Sequence, residues 1–232
     1  MRLCVCLAAW FTAAALLPAA DPMADVFARM DATAVHFKGI TADLEETVYT
    51  KIVDDSNVST GTIKLRRAKP GDVRVLFEFQ RPNPKIVSYA GNEIHIYNPK
   101  TNIEQIYDVS TKKGIIEQAI LLGFGATGAE LKASYNISFV AAETLDSQAT
   151  SHIRLVPKSK EMLAQLKQAD LWVSDSLGVP IQEKIATTNS GDYTVFKYSH
   201  LRMAPELSDK DLQLKTPKNA LKQRVGAGSS KQ

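Results

Sequence analysis

Arg67 is the residue whose type fits its position in this chain least well. It ends Gly61-Thr-Ile-Lys-Leu-Arg-Arg67, which is followed beyond a turn by Val73-Arg-Val-Leu-Phe-Glu-Phe79. Side chains alternate along a strand with period two, so Ile63, Leu65 and Arg67 share one face and Thr62, Lys64 and Arg66 the other. By the same parity Val73, Val75, Phe77 and Phe79 share a face, opposite Arg74 and Glu78. A guanidinium on an apolar sheet face is costly unless it finds a partner or water. Two arrangements meet that condition: a strand end from which the arginine snorkels to solvent, or an apolar cavity with one polar handle.

The other groups with chemical potential do not converge. Gly123-Phe-Gly125-Ala-Thr-Gly128 matches the dinucleotide pattern G-x-G-x-x-G. That pattern works only after a buried strand and before a helix whose N-terminus receives the pyrophosphate. Here it follows a helical pattern, Ile115 to Leu122, so the glycines read as a loop that lets the helix move. The histidines at 36, 95, 152 and 200 are scattered, with no short H-x-x-x-H spacing for a metal. Glu45-Glu46 and Asp54-Asp55 are adjacent pairs whose members point to opposite faces of a strand, so neither makes a carboxylate dyad. There is no G-x-S-x-G elbow. The expectation is a binding or structural protein rather than an enzyme, with no catalytic residue, metal or cofactor.

The compartment follows from residues 1–20. Arg2, the apolar run Leu3 to Leu17 and Pro18-Ala-Ala20 read as a secretory signal peptide. The run is short of the about 20 apolar residues a membrane span needs. Cys4 and Cys6 lie in this leader, away from the cleavage point where an acylated cysteine would sit. The exported chain then has no thiol, disulfide or thiolate metal site, and packing must hold it together. Without Arg2 it carries 27 basic against 25 acidic side chains, no field for nucleic acid or anionic membrane.

The elements that must position these residues are legible from periodicity. Asp21-Pro22 opens a helix with Val26, Phe27, Met30, Ala34 and Phe37 on one face, ended by Gly39. Alternation from Ile40 to Val53 predicts a half-buried strand, Asp54 to Asn57 a turn, and Pro70-Gly71 another between the two strands described above. Lys85 to Tyr89, Asn92 to Tyr97 and Ile103 to Val109 continue as short strands of an antiparallel meander. Gly114 to Leu122 has helical spacing, greasy for a surface helix, and Leu131 closes a second short helix. Strands resume at Tyr135–Val140, His152–Pro157, Ala169–Ser174, Ile181–Thr187 and Tyr193–Leu201, with Lys158–Lys167 a helical turn or insertion. The parity of Leu171 and Val173 sends Trp172 to the opposite face. One domain is expected over 21–218, and residues 219–232, rich in Lys, Gly and Ser, as a disordered tail.

In order along the chain, several of these segments resemble one family. They are the Gly-x-hydrophobic-x-hydrophobic-Arg-Arg strand, the Val-Arg-x-x-Phe-Glu-Phe strand, and Ile86-Val-Ser-Tyr-Ala-Gly-Asn-Glu-Ile-His-Ile-Tyr-Asn-Pro99 with Glu104-Gln105. Ile120-Leu-Leu-Gly-Phe-Gly125, Leu155-Val-Pro-Lys158 and Gly191-Asp-Tyr193 add to the likeness. The chain resembles the periplasmic outer-membrane lipoprotein carrier (LolA-type) and lipoprotein-sorting family from Met23 to Lys218. The resemblance implies a mainly β fold with a few helices: a strongly curved antiparallel sheet, an incomplete barrel, covered by a helical lid. It further implies a monomer without stable membrane insertion. Such a carrier takes acylated lipoproteins from an inner-membrane ABC lipoprotein-release transporter to an outer-membrane receptor.

The family's lid-tethering arginine corresponds best to Arg67, although Ala68-Lys69 separates it here from the proline that normally follows directly. The expected acyl cavity is Ile63, Leu65, Arg67, Val73, Val75, Phe77 and Phe79, and the expected lid is Phe27, Met30, Ile116, Ile120, Leu121 and Phe124. Burying acyl chain is worth about 0.8 kcal/mol per CH₂, so such a carrier must offer apolar surface and then give it up. Carriage of free phospholipid or glycolipid, an envelope sensor of lipid or peptide, and a permanently packed core are the alternatives.

Overall fold

The computed structural model describes residues 21–69, 71–186, 191–203 and 206–226. The expected leader and residues 227–232 lie outside the described residues. Among the described residues twelve strands form a single sheet, eleven of them on the alternating segments. They are β1 (Gly39–Thr50), β2 (Asp55–Lys69), β3 (Asp72–Arg81), β4 (Lys85–Ala90), β5 (Glu93–Asn98) and β6 (Ile103–Asp108), then β7 (Tyr135–Leu145), β8 (Gln148–Pro157), β9 (Gln168–Ser174), β10 (Pro180–Ala186), β11 (Tyr193–Met203) and β12 (Leu221–Val225). Their spatial order is β12-β6-β5-β4-β3-β2-β1-β11-β10-β9-β8-β7. The sheet is an open, curved one that does not close into a barrel, and every pairing is antiparallel except β12 on β6. This is the mainly β fold class with helical elements expected from the sequence.

Among the described residues four α-helices accompany the sheet: α1 (Pro22–Ala34), α2 (Lys113–Leu121), α3 (Gly128–Ser134) and the single turn α4 (Lys160–Leu163). Among the described residues no helix is long and apolar enough to cross a membrane. α1 starts as its sequence dictates, with the Asp21 side chain accepting from the Met23 amide at 3.0 Å and Pro22 in the first turn. Val26, Phe27 and Met30 bury its apolar stripe. The helix stops at Ala34, and Gly39, expected as its end, is already the first residue of β1. A Cβ at Gly39 would stand 2.3 Å from the Leu65 carbonyl oxygen, so this glycine serves close strand approach. The turn before β2 is Lys51–Asp54, three residues earlier than composition indicates.

The core divides along the sheet. Val26, Phe27 and Met30 of α1 pack with Leu122, Ile153, Leu155, Leu171 and Val173 over β8 and β9. Ile40, Ile63, Leu65, Val73, Val75, Phe79, Tyr89 and Phe124 form a second cluster over β1–β4, against which Ile116, Ile120 and Leu121 of α2 pack.

The expected disordered tail is corrected by the structure as far as Val225. Leu221–Val225 pairs with Ile103–Tyr107 as β12. An edge strand exposes a row of unpaired backbone groups, and β12 satisfies them on β6. Every side chain of β12 is exposed, so the segment carries no hydrophobic pattern to betray it. Before it, residues 206–220 cross the outer face of β2–β6. Arg66 donates to the Leu207 carbonyl at 2.9 Å and pairs with Asp209, which also binds Arg74 at 2.8 Å. Leu212 is buried there.

Candidate functional site

The inner face of β2–β5, β10 and β11 forms the floor of an apolar recess roofed by α2. Ile63, Val75, Phe77, Val87, Ile94, Ile185 and Phe196 line a cavity of about 260 Å³ together with Ile116, Ala119 and Ile120 of the helix. On the other side of α2 a second space of about 390 Å³ lies between Arg67, Val73, Leu121, Leu122, Leu131 and Tyr135. The helix between them is weakly anchored. It has no side-chain cap at its N-terminus, and none of its residues is buried. The Tyr89 hydroxyl donates to Glu117 Oε1 at 3.1 Å, and Lys113 approaches the same oxygen at 3.6 Å.

α1 and α3 are held differently. Arg29 reaches Asp175 at 2.8 Å and Ser151 at 2.9 Å, and the Thr33 hydroxyl donates to the Leu177 carbonyl at 2.8 Å. α3 begins with a capping box in which Thr127 and Glu130 satisfy each other's backbone amides at 2.8 and 3.1 Å. The Gly128 amide donates to Asp31 Oδ1 at 2.7 Å, tying α3 to α1.

Arg67 closes this arrangement. Its Nη1 donates to the Gly125 carbonyl at 2.7 Å and its Nη2 pairs with Glu130 Oε1 at 2.8 Å. The β2–β3 register shifts between Arg67 and Lys69, a bulge that re-aims the strand end toward the α2–α3 loop. Burial alone would raise the Glu130 pKa, but Arg67 and the Thr127 amide outweigh it and hold the carboxyl below its ordinary range. Arg66, its neighbour, points the other way, to the strap on the outer face. Gly125 itself has φ +65°, and a Cβ there would lie 2.2 Å from Phe37 Cδ1. The glycine-rich loop thus packs its backbone onto Phe37, in the link from α1 to β1, and offers a carbonyl to Arg67. It follows a helix rather than a strand, as the sequence indicates.

The residues singled out from sequence separate into groups. Ile63, Val75 and Phe77 line the smaller cavity with Ile116 and Ile120, while Arg67, Val73 and Leu121 line the larger one. Leu65 and Phe79 are packed in the floor beneath. Phe124 stacks edge-to-face on Tyr198, centroids 5.1 Å apart, below the loop. Phe27 and Met30 belong to the α1 core over β8 and β9 and line neither cavity. Trp172 lies on the opposite face as its parity indicates, half-buried, stacked on His152 and donating to Glu143 at 2.7 Å.

Two polar residues of the floor escaped the sequence reading. Glu183 lines the smaller cavity and is 4% exposed; its Oε1 is buried without a hydrogen-bond partner. Tyr198 lines the same cavity beside it. Burial pushes the Glu183 carboxyl up to about 8, with the Tyr198 hydroxyl pulling the other way, so the group is protonated at neutral pH. The signal was available: Ile181, Glu183 and Ile185 share one face, the same anomaly that drew attention to Arg67. Among the described residues no group of three or more His, Cys, Asp or Glu is placed to hold a metal.

No protein-family model matches the chain, and no curated protein does. Among solved structures, an uncharacterized conserved protein from Thermus thermophilus superposes with a TM-score of 0.55 at 11% identity, over 88% of this chain and 100% of its own. MucB superposes with a TM-score of 0.50 at 12% identity over 83% of this chain, which spans 62% of the MucB chain. A LolA superfamily protein from Nitrosomonas europaea aligns over 84% of this chain and 99% of its own, with a TM-score of 0.39 and 11% identity. At these identities the likeness to MucB and the Thermus protein is one of fold.

Proposed function

We propose that this chain is a periplasmic carrier that holds the acyl chains of lipoproteins between its curved sheet and α2, and ferries them from the inner to the outer membrane. The observation that carries this reading is an apolar cavity under a weakly held helix, latched by Arg67 on the Gly125 carbonyl. The smaller cavity, at about 260 Å³, is below the about 300–1,000 Å³ that drug-sized ligands fill, so in this reading the recess widens to take acyl chains.

Loading is then a swing of α2 and the 123–126 loop away from the sheet, with Thr127 staying behind as the cap of α3. Opening breaks the Arg67–Gly125 bond and exposes Ile63, Val75 and Phe77 together with Ile116 and Ile120. Acyl chain covers that surface in place of the helix, so uptake and release differ little in buried apolar area. A carrier must be so balanced, because each CH₂ contributes about 0.8 kcal/mol and an unbalanced site would never release. α1 and α3, pinned by Arg29, Thr33 and the Gly128–Asp31 bond, act as the fixed frame. The donor and acceptor in this reading are an inner-membrane ABC lipoprotein-release transporter and an outer-membrane receptor.

Mass spectrometry of material copurifying with the exported protein from its native envelope tests this. Acylated N-terminal peptides in near-stoichiometric amount are the expected result. Free lipid alone would replace lipoprotein by lipid as cargo, and an empty protein would leave the packed core as the better description.

A further inference from the structure

We infer that Glu183, with Tyr198 beside it, is a specificity-determining contact that donates a hydrogen bond to an acyl carbonyl oxygen of the cargo. The inference rests on the carrier reading and deepens it. The cavity wall supplies three side chains with polar atoms: Tyr89, Glu183 and Tyr198. The Tyr89 hydroxyl is already given to Glu117 at 3.1 Å. Glu183 is the one with a buried oxygen that nothing in the described residues satisfies. Most buried polar groups are satisfied, and an orphan on an apolar cavity wall points to a partner arriving there.

The chemistry of that partner follows from the surroundings. Ile63, Phe77, Ile120, Ile185 and Phe196 make the walls apolar, so the arriving group must be carried on hydrocarbon. A protonated carboxyl offers an O–H and so calls for an acceptor. An ester or amide carbonyl at the head of an acyl chain is such an acceptor and brings no charge into the cavity. Lipoprotein anchors and phospholipids share that carbonyl. The titratable groups near Glu183 are Tyr198 on β11 and Tyr135 at the start of β7; Tyr89 and Glu117 pair with each other at the cavity roof. Both of the former tyrosines are pushed upward, Tyr135 to about 12, so Glu183 loses its proton before either does.

The test compares ligands with and without carbonyls on the full exported chain. Binding of diacyl phosphatidylglycerol and of a synthetic triacylated lipopeptide is measured beside a dialkyl ether lipid of the same chain length. Wild-type protein is expected to prefer a carbonyl-bearing ligand roughly tenfold, the size of one hydrogen bond to a buried group. Glu183→Leu should erase the preference, while Glu183→Gln, which keeps a donor, should retain it and remove its decline above about pH 8. A preference seen with the lipopeptide assigns the carbonyl to a lipoprotein anchor, and one seen with phospholipid alone to free lipid; either supports the contact. Equal binding of ester and ether lipids, or a preference that survives Glu183→Leu, overturns the inference and leaves the carrier reading standing. Failure to bind any of the three overturns both.

Discussion

Arg67 Nη1 lies 2.7 Å from the Gly125 carbonyl oxygen across 58 residues of sequence, and it ties the strand floor to the loop behind α2. The guanidinium is mostly shielded, with 18% of its side chain exposed. A charge-assisted bond in such a place is worth about 1.5–3 kcal/mol, which is here a bias toward the closed state.

Arg67→Leu should therefore slow release. With the latch gone the loaded form has less to regain on closing, so transfer of bound lipopeptide to acceptor vesicles should fall about tenfold or more. Uptake should be as easy or easier, because opening no longer breaks that bond. Unchanged transfer would remove Arg67 from the mechanism. Glu130→Gln should give a weaker version of the same effect, since Glu130 is half exposed and screened by water. Because the Glu130 pKa is depressed by its partners, its contribution is present above the ordinary carboxylate range and lost as pH falls through the folded value. Acidification should loosen the latch in wild type and not in Glu130→Gln.

Gly125→Ala should prop the loop open. Its φ of +65° disfavours any side chain by about 1–2 kcal/mol, and the new Cβ would meet Phe37 Cδ1 at 2.2 Å. Fluorescence from a probe placed on α2 should report a larger open population. Adding Phe37→Ala should recover part of the closed state by relieving the contact. If the double variant opens as far as the single one, backbone strain alone is responsible.

Much of this was legible because both faces of the sheet obey period two. Ile63, Leu65 and Arg67 share a face on paper and in space, and Arg66 goes to the other side with its own partner, Asp209. The strands from Tyr135 to Met203 likewise start within one residue of expectation, save β8, which begins at Gln148 rather than His152. What periodicity could not show lies in partners far apart in sequence. Gly39 looks like a helix stop until β2 is placed beside it, and β12 has no apolar residue on a buried face. Glu183 was overlooked although its strand shows the same pattern as Arg67, because only the cavity makes its unpaired oxygen visible.

Ile120→Asp separates a cavity from a packed core. Ile120 is half-buried on a helix with no buried residue, so a carboxylate there keeps access to water while α2 lies over the recess. Stability should change by less than about 1 kcal/mol, whereas acyl binding should drop at least roughly tenfold. A large loss of stability in denaturant titration would instead show that Ile120 is permanently packed.

Leu212→Ala tests the outer strap. The leucine is 3% exposed under residues 206–220, and truncating a buried leucine typically costs about 2–5 kcal/mol. The strap lies on the opposite face of the sheet from the acyl recess, so ligand affinity should be unchanged at temperatures where the variant stays folded. Parallel loss of both would mean that the two faces are coupled through the sheet.

Glu183 makes stability depend on pH in a direction opposite to most carboxylates. Its folded value is about 8 against an ordinary 4.5, because burial disfavours the charged form. Below the unfolded value both states are protonated and the residue costs nothing through ionisation. As pH rises past 4.5 the unfolded chain releases the proton while the folded protein keeps it, so stability declines until the folded group also ionises near 8. The full decline is on the order of 4–5 kcal/mol by linkage. Glu183→Gln cannot ionise and should lose this slope. Thermal unfolding from pH 5 to pH 8 should therefore show the variant gaining on wild type as pH increases, with most of the gain complete by about pH 8. Tyr135 and Tyr198 do not titrate in this window, both being raised by burial, so they leave the comparison clean. Parallel melting curves for the two proteins would mean that the Glu183 carboxyl is solvated and ionised in the folded state, and its role as a hydrogen-bond donor would go with that result.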